Sequence, residues 1–566
     1  MVETMNMDAV EAPDLIDERL DELYARKRST LRVKPPSVGN YAFVFVASLV
    51  CLAAIYLPLL QYQFGFNDDY FALYERLRNA DWITTMTTQF MLQARPCEAL
   101  VYIPQVAFLN HIKDFVFVRG LGIVYLAGLA TCFYSAFLSV RWSRWQAFAA
   151  SICLCCVPSF QVILSWITAL QFVVPGMLAF GAWHVLRRNP ETYLGKILKY
   201  CLSFSLMSAA VTIYQPAAML FWVFVAIGLS DLESPAQERL MFLLDAVTVA
   251  AAAYALDFAV FQWAKLHFGT SGLLPGRAGL CTDVIGKVKW FLRNPLVDSL
   301  NFFRLQNSLS FAMRSAGFIA FGLLLYIRGN FKYLGASLAV AAALIPLSYL
   351  PNLLINESLS FYRTQIALMC LVTLYAMLAV KGYLKTFLCR GRAFTLIALS
   401  SAVLFGLVAY SNVLDYFAVP QSLELASLRQ QAKGDFGPDL AQKPNFLTRE
   451  DTLAPAICYD EFGMPSSAQE FDHKPLQVLL KLEALEQKNP ANAIGDSFSP
   501  DSEGGAEDAD EVGTNEDSEQ VPATTVKKDG AEEDAADSIA APKAEKSDTP
   551  QEATTPSATA ENGATN

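Results

Sequence analysis

Two adjacent carboxylates occupy the first polar loop of the chain, in the run Asn67-Asp68-Asp69-Tyr70. Paired carboxylates suit general-base chemistry, because one can accept a proton while its neighbour orients it or binds a ligand. The same run also fits a helix start, in which Asn67 or Asp68 caps a helix that begins at Tyr70. The sequence supports both interpretations.

Two arginines have the chemistry to hold an anion. Arg95 precedes Pro96, and Arg363 follows Tyr362 in a polar segment that also contains Glu357. The planar fork of a guanidinium group matches the oxygens of a phosphate. A structural interpretation is equally open at each position: an arginine that snorkels to the membrane interface at 95, and an ion pair with Glu357 at 363.

Two apolar stretches carry polar interruptions. The run Tyr214-Gln215-Pro216 is typical of a kink, in which polar side chains satisfy the backbone groups that the break frees. The turn Pro158-Ser159-Phe160, which leads to Ser165, holds no acid, so its expected role is to shape a pocket.

The elements that position these residues belong to a membrane protein. Of the 566 residues 54% are hydrophobic and only 17% charged, and the mean hydropathy is +0.31, which excludes a soluble enzyme of ordinary composition. The net charge of -11 is uneven, since residues 491–566 hold 19 acidic and 4 basic residues and the rest of the chain carries +4. No basic patch with interleaved aromatic residues indicates nucleic acid.

Apolar runs close to the length that crosses about 30 Å of hydrocarbon recur from residue 41 to residue 412. We predict about eleven membrane-spanning helices, near 41–60, 115–139, 146–165, 168–186, 197–213, 215–229, 240–264, 311–328, 332–350, 361–380 and 393–412. The basic residues between the spans then fall in the cytoplasm, as the positive-inside rule requires. The agreement with this rule requires that the short run 99–109 lies in the plane of the outer interface. The segment 197–229 could form one kinked span or two spans.

This map predicts an all-α polytopic membrane protein in four parts. They are a cytoplasmic arm at 1–40, with an amphipathic helix at 13–28; a membrane domain at 41–412, with large outer loops at 61–114 and 265–310; a small outer region at 413–490, with helices near 421–433 and 474–487; and an acidic tail at 491–566. The composition of the tail predicts disorder.

The order of these features resembles the GT-C membrane glycosyltransferases and, among them, the Gtr-type O-antigen glucosyltransferases of bacteria. The likeness covers about residues 40–415. The residues that carry it are Asn67-Asp68-Asp69-Tyr70, Arg95-Pro96, Pro158-Ser159-Phe160 with Ser165, Tyr214-Gln215-Pro216 and Tyr362-Arg363.

The resemblance implies an inverting transfer at the periplasmic face of the bacterial inner membrane. The sugar, typically glucose, would pass from a polyprenyl-phosphate donor to a hydroxyl of O-antigen or a similar surface glycan. Asp68 or Asp69 would act as the general base. The donor and its phosphate would contact Arg363 with Arg95, and also Tyr362, Tyr214 and Gln215.

One departure concerns the metal. Many relatives have a second acid in the turn after the Pro-x-Phe element, where this chain has Gln171. No metal ligands or cofactors are therefore assigned, and a divalent cation stays open. The competing predictions are a GT-C transferase that modifies lipid A or protein, a flippase or other transporter of lipid-linked sugars, and a structural membrane protein. A transporter would place ionisable residues at mid-bilayer.

Overall fold

The computed structural model describes residues 38–269, 279–302, 308–328, 333–358, 360–387, 391–433 and 474–488. About 85% of the chain so described is helical. Apart from one isolated antiparallel bridge between Leu280 and Ile355, it contains no extended pairing. The predicted all-α class is therefore confirmed.

The first half of the chain forms twelve of the helices in the described ranges. They are α1 (Val38–Ile55), α2 (Leu57–Gln61), α3 (Asn67–Arg78), α4 (Trp82–Leu92), α5 (Glu98–Ala107), α6 (Phe115–Ser139), α7 (Arg144–Cys155), α8 (Pro158–Ser165), α9 (Val174–Leu186), α10 (Tyr193–Ile213), α11 (Gln215–Ala218) and α12 (Leu220–Leu229). Short 3-10 turns at Ile112–Asp114 and Ile167–Val173 lead into α6 and α9.

Ten more helices follow in the described part of the second half of the chain. They are α13 (Ala236–Phe268), α14 (Val284–Arg293), α15 (Pro295–Leu300), α16 (Leu309–Ile327), α17 (Leu334–Leu347), α18 (Leu350–Leu354), α19 (Ile366–Phe387), α20 (Gly391–Val413), α21 (Val419–Lys433) and α22 (Lys474–Lys488). A 3-10 turn at Tyr362–Thr364 precedes α19, and a π-helical turn at Leu414–Ala418 joins α20 to α21.

Seven helices in the described ranges are long and apolar enough to cross a membrane. They are Ile112–Ser139, Ile167–Leu186, Tyr193–Ile213, Ala236–Phe268, Leu309–Ile327, Ile366–Phe387 and Arg392–Gln430. The pair α7 and α8, bent by 59° at its break, adds an eighth if it forms one span. Three shorter apolar helices are Gly39–Ile55, Gln215–Leu229 and Leu334–Leu347. These apolar helices support the prediction of a multi-pass membrane protein.

The polar run at Tyr214 separates two helices. Tyr214 has an extended backbone (φ -159°, ψ 106°), so α10 ends at Ile213 and α11 begins at Gln215. Pro216, in the first turn of α11, fits a helix start because its missing N–H would have no helical partner there. The segment 197–229 is therefore not one continuous helix, since α10 ends before Tyr214 and α11 and α12 follow it.

The run at 99–109 forms helix α5, which has ten residues and therefore a length of about 15 Å, too short to span the hydrocarbon. It packs against α4 and against the turn Ile167–Val173. The prediction that this run does not cross the membrane is compatible with its length.

Several loops contact one another at one end of the bundle, which we call the loop end. There the amide of Cys97 donates to the carbonyl of Thr212, and the amide of Cys281 donates to the carbonyl of Leu354. At the opposite end, the basic end, Arg141 pairs with Glu233. The loops that carry the predicted site residues all belong to the loop end.

Helices α16 and α19 cross at small residues. A Cβ atom added to Gly322 would lie 2.4 Å from the Cβ of Ala379, and one added to Gly382 would lie 2.4 Å from the carbonyl oxygen of Gly322. Membrane helices commonly approach closely through such residues, because lipid supplies no hydrophobic force to hold them together. This crossing fixes α19, which follows the segment that contains Arg363.

The C-terminal helices fold back onto the loop end. The guanidinium of Arg429 in α21 donates to both carboxylate oxygens of Glu483 in α22, at 2.9 and 3.2 Å, and to the side chain of Gln63 at 3.1 Å. Helix α22 packs against α3. Residues 1–37 of the predicted arm at 1–40, with its amphipathic helix at 13–28, lie outside the described residues, as do the segment 434–473 and the tail at 491–566.

Candidate functional site

Asp69 is a buried structural acid. Its side chain has no solvent exposure, and its oxygens accept three hydrogen bonds: from the amide of Phe66 and from the amide and hydroxyl of Thr168, each at 3.1 Å. Burial raises the pKa of Asp69 to about 6, although Arg119 and the backbone bonds oppose that rise. A carboxylate held in this way positions two segments and does not reach a soluble substrate.

The helix cap differs in detail from the one expected. Helix α3 begins at Asn67, three residues before the predicted start at Tyr70, and the capping carboxylate is that of Asp69. Asp68, in the first turn of α3, is exposed. The two neighbouring acids therefore have different surroundings, and only Asp68 faces outward from the loop.

Arg119 joins the first loop to the end of α8. It is fully buried near the start of α6 and donates to the carbonyls of Phe64 at 2.7 Å and Ser165 at 3.1 Å. Its guanidinium carbon lies 3.6 Å from the centre of the Phe64 ring. Gly65 must lack a side chain here, because a Cβ would come within 2.7 Å of the Phe115 ring.

A strained turn presents Arg95. Ala94 has a φ of 60°, a left-handed conformation that costs a residue with a side chain about 1–2 kcal/mol. Its carbonyl accepts a hydrogen bond from Gln215 at 3.0 Å, and the Arg95 amide donates to the carbonyl of Phe90 at 2.8 Å. Strain that the surroundings hold in this way is typical of functional sites.

Arg95 faces a buried acid, Glu98. Their charged atoms lie 3.6 Å apart, and the Glu98 side chain is 3% exposed while that of Arg95 is 22% exposed. Gln171 donates to Glu98 at 2.8 Å and to the carbonyl of Thr168 at 2.6 Å. Burial raises the pKa of Glu98 to about 7, against the lowering effects of Arg95 and Gln171.

The break between α10 and α11 places Tyr214 beside Arg95 and Gln215 beside the carbonyl of Ala94. The Tyr214 ring stacks on Phe172 with 3.6 Å between centres, and the guanidinium carbon of Arg95 lies 4.8 Å from the centre of the Tyr214 ring. Gln215 also lies 3.4 Å from a carboxylate oxygen of Asp257, a buried acid of α13. Neither Glu98 nor Asp257 was assigned a role from the sequence.

Arg363 packs against two aromatic rings. Its guanidinium carbon is 4.3 Å from the centre of the Trp166 ring and 4.9 Å from that of Phe361. Trp166 in turn packs edge-on against Phe66, with 4.9 Å between ring centres. Trp166 therefore lies between Arg363 and Phe66, the residue that precedes α3. Tyr362 beside it is half-buried.

Several buried polar atoms of the loop end have no hydrogen-bond partner within the described chain. They are Nε of Arg95, Oε2 of Glu98, Oε1 of Gln171, Oδ1 of Asp257 and Nε1 of Trp166. Buried polar atoms normally find partners, so such a concentration indicates a place for a polar ligand or water. Among the described residues no group of three acidic, histidine or cysteine side chains has the arrangement of a metal site.

The structure brings the sequence-predicted residues into two neighbouring groups. Arg95, Tyr214 and Gln215 lie in one. In the other, Asp69 binds the amide of Phe66 and Arg363 packs on Trp166, while Asp68 is exposed next to Asp69 in the chain. Comparison of the chain with protein-family models, curated proteins and solved structures gives no match.

Proposed function

We propose that this chain is a membrane glycosyltransferase that moves a sugar from a polyprenyl-phosphate donor to a hydroxyl of a surface glycan. The observation that supports this most is the meeting of five segments that lie far apart in the sequence. Asp69 binds Thr168, Glu98 binds Gln171, Arg95 approaches Tyr214, and Arg363 packs on Trp166. Segments that carry the family resemblance thus meet at the loop end in two neighbouring polar groups.

We place the loop end on the periplasmic face of a bacterial inner membrane. The basic end carries Arg141, Arg144, Arg187 and Lys381, and the positive-inside rule assigns such an end to the cytoplasm. The three shorter apolar helices, counted with the seven long ones and the bent pair, would give the eleven spans of a GT-C-like bundle.

In the proposed reaction Asp68 is the general base. The acceptor hydroxyl oxygen attacks the anomeric carbon as its proton passes to the Asp68 carboxylate. The bond from that carbon to the phosphate oxygen breaks on the opposite face, so the configuration inverts and the electron pair leaves with polyprenyl phosphate. Asp69 is a positioning residue, since its oxygens already bind Phe66 and Thr168.

Arg363 is the residue that we assign to the leaving phosphate. Its guanidinium packs on Trp166 beside the first loop, close to the residue that precedes α3. A guanidinium that meets the charge developing on a phosphate oxygen lowers the barrier to its departure. The guanidinium of Arg95 lies instead beside the buried carboxylate of Glu98, at 3.6 Å.

Asp68→Asn tests this proposal, since it keeps the size of the side chain and removes its basicity. Membranes that contain the natural acceptor are supplied with labelled undecaprenyl-phosphate sugars, and incorporation into glycan is measured. Asp81→Asn, an exposed acid just beyond α3, is the matched control. The proposal requires transfer by the wild type and the control, and a loss in Asp68→Asn.

Asp257 supports a second candidate function, a carrier of lipid-linked sugars. This buried acid lies within a helix long enough to span the membrane, and such residues often mark transport pathways. A carrier would move an undecaprenyl-phosphate sugar between the leaflets of proteoliposomes without joining it to an acceptor. Leaflet exchange without transfer would replace the enzyme proposal with this one.

A further inference from the structure

Asp257 is an acid that the proposed reaction does not use. It lies in α13, its side chain is buried with the residue only 7% exposed, and its Oδ2 accepts a long hydrogen bond of 3.4 Å from Gln215. Its other oxygen, Oδ1, has no hydrogen-bond partner in the described chain. A buried carboxylate oxygen without a partner is costly, so it indicates a ligand that donates a hydrogen bond.

Two carboxylates belong to the cluster around Arg95. Glu98 approaches the Arg95 guanidinium at 3.6 Å, and Gln215 joins Asp257 to the carbonyl of Ala94. Each acid has a donor beside it, Arg95 for Glu98 and Gln215 for Asp257, so the cluster offers no unmatched positive charge to attract a phosphate. A neutral ligand with several hydroxyls suits it better, because carboxylates accept hydrogen bonds from hydroxyls while guanidinium and amide groups donate them.

The amide side chains around these acids complete a set of donors and acceptors. Gln171 presents an unpartnered buried Oε1 beside Glu98, and Gln215 joins Asp257 to the turn at Ala94. The side chain of Arg95 is 22% exposed, so the cluster reaches the surface through it. Polar groups fixed in this way discriminate strongly, since a ligand without the matching hydroxyl leaves them unpaired.

We propose that Arg95, Glu98 and Asp257 form the subsite for the sugar ring of the donor, separate from the phosphate subsite at Arg363. This inference rests on the proposed function in that it takes the ligand to be a lipid-linked sugar. The unpartnered Oδ1 of Asp257 accepts a hydrogen bond from a sugar hydroxyl, and Glu98 and Gln171 bind a second part of the ring.

Binding measured without turnover tests this subsite. The purified full chain in nanodiscs is titrated with undecaprenyl phosphate and with a panel of undecaprenyl-phosphate hexoses, in the absence of acceptor. The variants are Asp257→Asn and Glu98→Gln, which keep size and an acceptor oxygen. The matched control is Asp245→Asn on the same helix, whose carboxylate binds Lys199 and Tyr200.

We expect Asp257→Asn to weaken binding of the preferred sugar lipid by about 10- to 100-fold, the range for losing a hydrogen bond to a charged group. Binding of bare undecaprenyl phosphate should stay unchanged, and Asp245→Asn should match the wild type for both lipids. Glu98→Gln gives an independent result if Asp257→Asn does not fold.

The possible failures are distinct. If the wild type prefers a sugar lipid over the bare lipid and both subsite variants keep that preference, the subsite is wrong and the proposed function stands. If the variants lose affinity for both lipids equally, the cluster binds phosphate and the inference is overturned. If the wild type shows no preference for any sugar lipid, the proposed function fails together with the subsite.

Discussion

Asp69 and Thr168 are joined by two hydrogen bonds of 3.1 Å, from the amide and from the hydroxyl of Thr168, although 99 residues separate them. These bonds lock the start of α3 onto the turn Ile167–Val173. They also engage the carboxylate of Asp69, one of two adjacent acids that the sequence alone does not distinguish. The two neighbouring acids therefore differ, since Asp68 is exposed and Asp69 is buried.

Asp69→Asn should destabilise the protein. An asparagine offers one acceptor oxygen where the carboxylate uses two, so a buried donor on Phe66 or Thr168 loses its partner, at a cost of about 1–3 kcal/mol. Thr168→Val removes only the hydroxyl bond and should cost less. Thermal unfolding in detergent measures both. Equal stability of Asp69→Asn and the wild type would show that this contact does not hold the loop.

Glu98→Gln should change how stability depends on pH. Burial raises the pKa of Glu98 to about 7 in the folded chain, so the folded state keeps a proton that the unfolded state has released above about 4.3. The contribution of Glu98 to the free energy of unfolding of the wild type therefore falls as the pH rises towards 7. Glutamine does not titrate. The unfolding temperature of Glu98→Gln should therefore rise relative to that of the wild type between pH 5 and pH 8. A difference in unfolding temperature between Glu98→Gln and the wild type that does not change with pH would contradict this prediction.

Arg363→Gln should impair use of the donor. It removes the charge that we assign to the phosphate but leaves a polar side chain beside Trp166. Transfer rates at several donor concentrations should show a loss of at least tenfold in kcat/KM, and Arg363→Lys should recover part of it because it restores charge without the planar fork. Arg314→Gln, an exposed arginine of α16, is the control. Normal kcat/KM in Arg363→Gln would remove the phosphate role.

The two ends of the bundle should label from opposite sides. Cysteines introduced at the exposed positions Asp81, at the loop end, and Arg144, at the basic end, are treated in intact cells with a maleimide that does not cross the inner membrane. The exposed native Cys201 is replaced by serine beforehand. We expect labelling at position 81 only. Labelling at position 144 only would reverse the orientation and move the site to the cytoplasm.

Hydropathy and turn chemistry predicted much of the fold. Long apolar runs predicted the long apolar helices, and Pro216 marked the start of a new helix after Tyr214. The start of α3 was placed three residues late, because the sequence does not show which carboxylate reaches back to the amide of Phe66. Caps depend on local geometry that composition cannot supply.

The site could be predicted only in part. Arg95 and Tyr214 were candidates from the sequence, and the structure brings them together. Glu98 and Asp257 were missed because their roles depend on partners more than forty residues away, such as Gln171 and Gln215. A signal for Asp257 did exist: it is an acid in an otherwise apolar stretch of α13, which is costly unless it is used.

The most direct measurement of the central claim compares sugar incorporation into membrane glycan by the wild type, Asp68→Asn and Asp81→Asn, each supplied with undecaprenyl-phosphate sugar and shown to be inserted in equal amounts. General-base catalysis contributes about 10²–10⁴-fold, so incorporation by Asp68→Asn should fall by more than about 100-fold while Asp81→Asn keeps the wild-type rate. Incorporation by Asp68→Asn at the wild-type rate would contradict the account.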